Sequence, residues 1–158
     1  MTTIAYRDGA MAGDSLLTQG SNDIGFVQKV WKFKTGALYG SRGDGDDRVL
    51  RSMLSDITNP DALPSTKTLE NINAEIDALF VLPNGDVWHI STGESAQAMK
   101  VDAPYHAIGS GWKYALGAMA HGATASQAVE AAKKHDGHTG GLTQIEFLNP
   151  SGQQQLAV

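Results

Sequence analysis

Cysteine is absent from the 158 residues. Its absence excludes disulfides, thiolate zinc sites and a cysteine nucleophile. No apolar run is long enough to cross a bilayer, so no membrane partner is expected. The chain opens on polar Thr2-Thr3, not on a basic and then apolar leader, and a cytoplasmic protein is the expectation. Positive charge is scarce. The 12 Lys and Arg stand against 17 Asp and Glu, for a net charge of -5, and no Lys/Arg cluster offers a face to phosphates. No nucleic-acid partner is expected. Internal repeats, linkers and low-complexity stretches are lacking too, so residues 1–158 read as one domain with one sizeable core.

What is present is organised by glycine. The 18 glycines gather at turns. Alternating β-formers predict a strand over Thr2 to Arg7. Asp8-Gly9 predicts a tight hairpin, and Ala10 to Ser15 a returning strand. A polar loop through Gly20 and Gly25 follows. Partial alternation over Phe26 to Phe33 predicts one strand with Val27, Lys29, Trp31 and Phe33 on one side. Ala37 to Tyr39 reads as a short strand ending in Gly40-Ser41-Arg42-Gly43. Val49, Leu50, Met53, Leu54 and Ile57 then recur at helical spacing, predicting a helix from about Asp44 to Thr58, stopped by Asn59-Pro60.

Residues 61–74 are polar and ambiguous. Ala78 to Leu82, Asn84-Gly85 and Val87 to Ile90 make a second hairpin. Tyr105 to Ile108 reads as extended, and a helix runs from Trp112 to about His121. The capping-box spacing of Thr124 and Gln127 starts another helix to about His135. Residues 136–141 form a tight loop, Leu142 to Leu148 a last strand, and the tail is polar. Runs of strands separated by runs of helices argue for α+β with antiparallel sheets.

A hydroxyl nucleophile needs a base. One solution uses the chain's own terminal amine, which titrates at about 7.7–8.0, as the base for a first-residue threonine. A nearby lysine would favour the neutral amine, an aspartate would hold that lysine charged, and an oxyanion needs a backbone N–H in a tight turn. The sequence offers Thr2-Thr3-Ile4 at the start once Met1 is removed. It also offers Ala12-Gly13-Asp14-Ser15, Lys29-Val30, Gly40-Ser41-Arg42-Gly43-Asp44, Ile108-Gly109-Ser110-Gly111 and Asp136-Gly137-His138-Thr139-Gly140-Gly141.

In this order and spacing, from Thr2 to about Phe147, these pieces resemble the proteasome β subunits and, more closely in size, the HslV peptidase. The resemblance implies an N-terminal-nucleophile (Ntn) hydrolase with a four-layer αββα sandwich, two antiparallel sheets between helix layers. It implies a threonine-type endopeptidase with Thr2 as nucleophile, Asp14 and Lys29 tuning it, and Gly43 offering its N–H to the oxyanion. Ser110, Asp136 and Thr139 would support the terminal amine. Thr18 and Gly45 would flank the substrate strand, and Leu17, Val27, Trp31 and Ser41 would wall the pocket for the residue before the cut. It further implies unfolded protein or peptide as substrate, a homo-oligomeric ring and an ATP-dependent unfoldase as partner, with no cofactor. Residues 61–74 depart from the long second helix of that family.

Other motifs carry less. Asp44-Gly45-Asp46-Asp47 lacks the spacing and closing glutamate of a calcium loop and reads as an acidic helix start. Arg42-Gly43-Asp44 spells an adhesion motif only by coincidence. His135 and His138 sit in a glycine loop without further ligands, so no metal is expected. No glycine loop has the lysine and strand–helix context of a nucleotide-binding loop. Two alternatives to the peptidase stay open: an inactive ring or scaffold subunit of the same fold, and an Ntn amidase acting on small molecules.

Overall fold

A computed structural model describes residues 2–149. Met1 and the polar tail from Pro150 lie outside the described residues. Strand β1 (Thr3–Arg7) turns through Asp8 and Gly9, both at positive φ as a tight hairpin requires, into β2 (Ala10–Gly13). The loop expected after it is instead a second hairpin, β3 (Leu16–Gln19) and β4 (Asn22–Phe26). Most of its residues are exposed, so no buried face imposed an alternation on the sequence.

The single strand expected over Phe26 to Phe33 is two pieces. Phe26 ends β4, residues 27–29 bend, and β5 (Val30–Lys32) follows. Strand β6 (Leu38–Asp44) outruns its expected three residues, because Gly40 and Gly43 lie inside it. That extension consumes the expected start of the first helix, so α1 is only Arg48–Leu54.

Residues 61–74 contain one short helix, α2 (Thr66–Glu70), capped by the Ser65 hydroxyl. The hairpin β7 (Glu75–Val81) and β8 (Val87–Ser91) is as the Asn-Gly turn predicts. Strand β9 (Gln97–Val101), an edge with mostly exposed side chains, was hidden by its polarity. Then come β10 (Tyr105–Gly109), α3 (Trp112–Ala120), α4 (Ala125–His135) and β11 (Gln144–Phe147). The Thr124/Gln127 capping box is formed at both of its hydrogen bonds.

Every strand pairing is antiparallel. One sheet has the order β10-β1-β2-β11, another β5-β6-β7-β8-β9, and β3-β4 stand apart as a ribbon. Side-chain alternation then divides the core. Ile4, Tyr6, Met11 and Ile108 of the first sheet meet Val30, Leu38, Leu79, Val81 and Val87 of the second. The opposite face of the first sheet, Ala5, Ala12 and Ala107, packs on Ala115, Met119, Ala128 and Val129 of α3 and α4. The opposite face of the second, Tyr39, Ile76, Ala78, Phe80 and Ile90, packs on Leu50, Leu54 and Leu69 of α1 and α2. Among the described residues, no helix is long and apolar enough to cross a membrane.

Candidate functional site

Two carboxylates, one buried and one partly buried, organise the end of β1. Asp14, directly after β2, is 0% exposed and accepts from the Thr3 N–H (3.0 Å), the Lys29 ammonium (3.0 Å) and the Gly140 N–H (3.0 Å). Lys29 is 7% exposed. Burial holds its ammonium below the ordinary lysine range, while the charge and hydrogen bond of Asp14 oppose that fall. A buried lysine is sustained only by such a partner.

Asp136, just after α4, is the second carboxylate. Its Oδ2 accepts from the Ser110 hydroxyl (2.5 Å) and the Thr139 hydroxyl (2.6 Å), and Oδ1 from the His138 N–H (3.2 Å). Burial alone would raise its proton affinity. The Ser110, Thr139 and His138 donors outweigh burial and hold the carboxyl below the usual carboxylate range.

Thr3 joins the two centres. Its N–H is bound to Asp14, and its hydroxyl lies 2.8 Å from that of Thr139. Each hydroxyl has one proton, and Thr139 gives its proton to Asp136, so Thr3 must be the donor to Thr139. Ser110 completes the link, since its hydroxyl also stands 3.4 Å from the Thr2 carbonyl oxygen. Gly109 has φ +98°, and a Cβ there would come 1.9 Å from that same oxygen. Only glycine lets β10 run so close to Thr2.

Thr2, 5% exposed, lines a cleft of about 380 Å³ together with Leu17, Thr18, Lys29 and Gly43. Gly43 has φ +145°, and a Cβ there would meet the Glu75 carbonyl oxygen at 2.2 Å. A more open groove of about 900 Å³ lies beside the cleft and shares Asp44 with it, but contains neither Thr2 nor the buried ion pair. The chemistry therefore belongs to the smaller cleft.

Thus Thr2, Asp14, Lys29, Gly43, Ser110, Asp136 and Thr139 come together, with Leu17 and Thr18 beside them. The other pocket residues read from the sequence stand elsewhere. Val27 is 41% exposed, and its N–H and carbonyl are engaged by the Ser15 carbonyl and the Gln144 amide. Trp31 does not share the Lys29 face, because the bend at 27–29 breaks the alternation. Its ring lies 4.0 Å from the Arg51 guanidinium carbon, towards α1. The Ser41 hydroxyl donates to Asp47 on that side too. Gly45 lies past the end of β6, near Ala74.

Leu16, Arg42 and Asp44 also line the cleft and were not singled out by sequence. Neither was Gln144. Its Oε1 accepts from the Lys29 N–H (2.6 Å) and the Val30 N–H (3.2 Å), and its amide donates to the Val27 carbonyl (2.9 Å). One side chain thus fixes the bend that carries Lys29. A glutamine near the chain end gives no sequence signal for such a role, because its partners are backbone groups. Among the described residues no group of three or more potential metal ligands gathers.

No protein-family model and no curated protein matches the sequence. Solved structures do. The chain is similar to BPH of Thiobacillus denitrificans in complex with epoxomicin, with 21% identity, a TM-score of 0.64 and coverage of 94% of this chain and 99% of that one. It is similar also to BPH of the same organism in another structure, with 20% identity, a TM-score of 0.65 and coverage of 95% and 99%. At such identities the likeness shows the fold alone, mixed helix and sheet with antiparallel sheets.

Proposed function

We propose that this chain is a threonine endopeptidase of the proteasome β type, with a four-layer αββα Ntn-hydrolase architecture. The observation that carries the proposal is Lys29, which lines the same cleft as Thr2 and is ion-paired to the fully buried Asp14 behind it. After loss of Met1, the Thr2 amine takes the proton from its own Oγ, which attacks the peptide carbonyl carbon. The charged Lys29 keeps that amine neutral by like-charge repulsion, and Asp14 keeps Lys29 charged. The N–H of Gly43 meets the tetrahedral oxyanion. The amine proton leaves with the departing amine, an ester remains on Thr2, and water releases it. Ser110, Asp136 and Thr139 orient the terminal amine, while Leu17 and Thr18 contact the acyl side of the substrate.

The neighbour's complex with epoxomicin supports this reading and supplies a probe. A homo-oligomeric ring, an unfoldase partner, the HslV class and a cytoplasmic location belong to the same proposal. The rival is a scaffold subunit, which would have no need of a buried lysine beside a cleft. Intact-mass measurement of mature protein should show loss of Met1. Turnover of short fluorogenic peptides should stop in Thr2→Ala and in the presence of epoxomicin. Unchanged turnover in Thr2→Ala would end the proposal.

A further inference from the structure

Towards the Ser110 side, the space between the two sheets stops being apolar. Behind Leu79 and Ile108 the facing positions are Arg42, Asp77 and His89 on one sheet and His106 on the other. With Ser110 and Trp112 they line a solvent-open cavity of about 440 Å³. It adjoins the candidate site at two points. Gly109 and Ser110, which touch the Thr2 carbonyl, are in its wall, and Arg42 lines both this cavity and the Thr2 cleft.

The charges in it are already matched. Asp77 accepts from Arg42 (3.1 Å) and from the Ser91 hydroxyl (2.6 Å), with His89 Nε2 at 3.5 Å. A charged guest would find no unmatched opposite charge. What the cavity does offer is flat surface. The His89 and His106 rings stand 5.6 Å apart, and Trp112 is 42% exposed. His106 Nε2 is buried and has no hydrogen-bond partner, a state normally resolved by a ligand or water.

Resting on the peptidase reading above, we infer that this cavity is the leaving-group subsite and takes a neutral aromatic side chain from the residue just after the cut. The ring lies against Trp112 and the imidazole pair, and where the guest is tyrosine its phenol hydroxyl reaches His106 Nε2. Burial and the neighbouring His89 hold His106 below the ordinary imidazole value, so the ring is neutral at pH 7 and suits an uncharged guest. Arg42, fixed by Asp77, forms the partition between the acyl side and the leaving side. The subsite also works in reverse. An amino-acid amide seated there attacks the Thr2 ester. A C–N bond forms, the C–Oγ bond breaks, and the proton lost by the incoming amine returns to Thr2 Oγ through the terminal amine.

The ester's partition between water and added amides therefore reads the cavity directly. Phenylalaninamide and tyrosinamide should capture the acyl group roughly tenfold better than alaninamide, aspartamide or lysinamide, the preference expected when part of a ring leaves water. Trp112→Ala and His106→Ala should each flatten that preference, and Trp112, being at the surface, is the safer for folding. A second readout needs no turnover. In Thr2→Ala protein, phenylalaninamide should saturably shift the His89 and His106 ring NMR signals, whereas alaninamide should not. If the ring signals ignore phenylalaninamide, or all amides capture the ester equally, the subsite is overturned while the peptidase stands. If Thr2→Ala still turns over peptide, the peptidase falls, and the ring signals still report on the cavity alone.

Discussion

Among the described residues, removing the Lys29 ammonium would leave the fully buried Asp14 carboxylate with the Thr3 and Gly140 N–H donors. Breaking a buried pair on one side costs about 3–5 kcal/mol. The two remaining donors put Lys29→Met at the low end, about 3 kcal/mol, to be read from urea unfolding. The converse change tests the chemistry. In Asp14→Asn the carboxylate that opposes the fall in Lys29 proton affinity is gone, so Lys29 loses its charge at a lower pH. The Thr2 amine then has no cation beside it and binds its proton more tightly. The rising limb of kcat/KM against pH should therefore move to higher pH in Asp14→Asn, and a limb that stays put would remove Lys29 from the mechanism.

Gln144→Ala frees the bend at 27–29. It should lower kcat roughly 10- to 100-fold, the effect of a small misplacement of a catalytic group. Hydrogen exchange at the Lys29 and Val30 amides should quicken with it, a change that a remote structural role would not produce.

Elements differ in how plainly the sequence announced them. The β1-β2 and β7-β8 hairpins were legible because Asp-Gly and Asn-Gly turns join strands that are largely buried. Helix α4 was legible from its capping box. The β3-β4 ribbon and edge strand β9 were not, since exposed strands carry no apolar period. Strand β6 shows only part of its length in the sequence, because its glycines have no side chain to alternate.

Those glycines make the element testable. Gly43→Ala places a Cβ against the Glu75 carbonyl at a φ disfavoured for side chains, so β6 must pull away from β7. A stability loss of about 1–3 kcal/mol is expected from the backbone conformation. Activity should fall further than that loss explains, if the Gly43 N–H serves the oxyanion. On the other side of the molecule, α4 approaches β1 and β2 through Ala125, Ala128 and Val129. Ala128→Leu would overfill that contact and should destabilise by about 1–3 kcal/mol, read as a lower Tm.

At the scale of the whole chain, Thr2, Asp14, Ser110 and Asp136 were readable only jointly. Each is an ordinary strand or turn residue by itself, and their order from Thr2 to Asp136 is what resembles a family. Thr3, which links Asp14 to Thr139, and Gln144, which pins the segment carrying Lys29, give no such signal, because they act through backbone groups and one shared hydroxyl proton. The polar wedge of Arg42, Asp77 and His89 escaped notice for another reason: only the register of β6, β7 and β8 brings the three side by side.

That wedge ties the stability of the molecule to pH. The His89 imidazole, the Ser91 hydroxyl and the Arg42 guanidinium, against some cost of burial, lower the Asp77 carboxyl to a pKa of about 2. At 3.5 Å the imidazole contact is long for a hydrogen bond, so Ser91 and Arg42 are the firmer partners. A carboxyl lowered in the folded state binds fewer protons than in the unfolded chain. Its contribution is therefore whole above the unfolded value of about 3.9 and is lost as pH falls towards 2. Unfolding at pH 2–4 should thus depend on pH less steeply in Asp77→Asn than in the natural chain, with the two curves parallel above pH 5. Equal slopes in the acid range would mean that Asp77 is not held ionised by its partners.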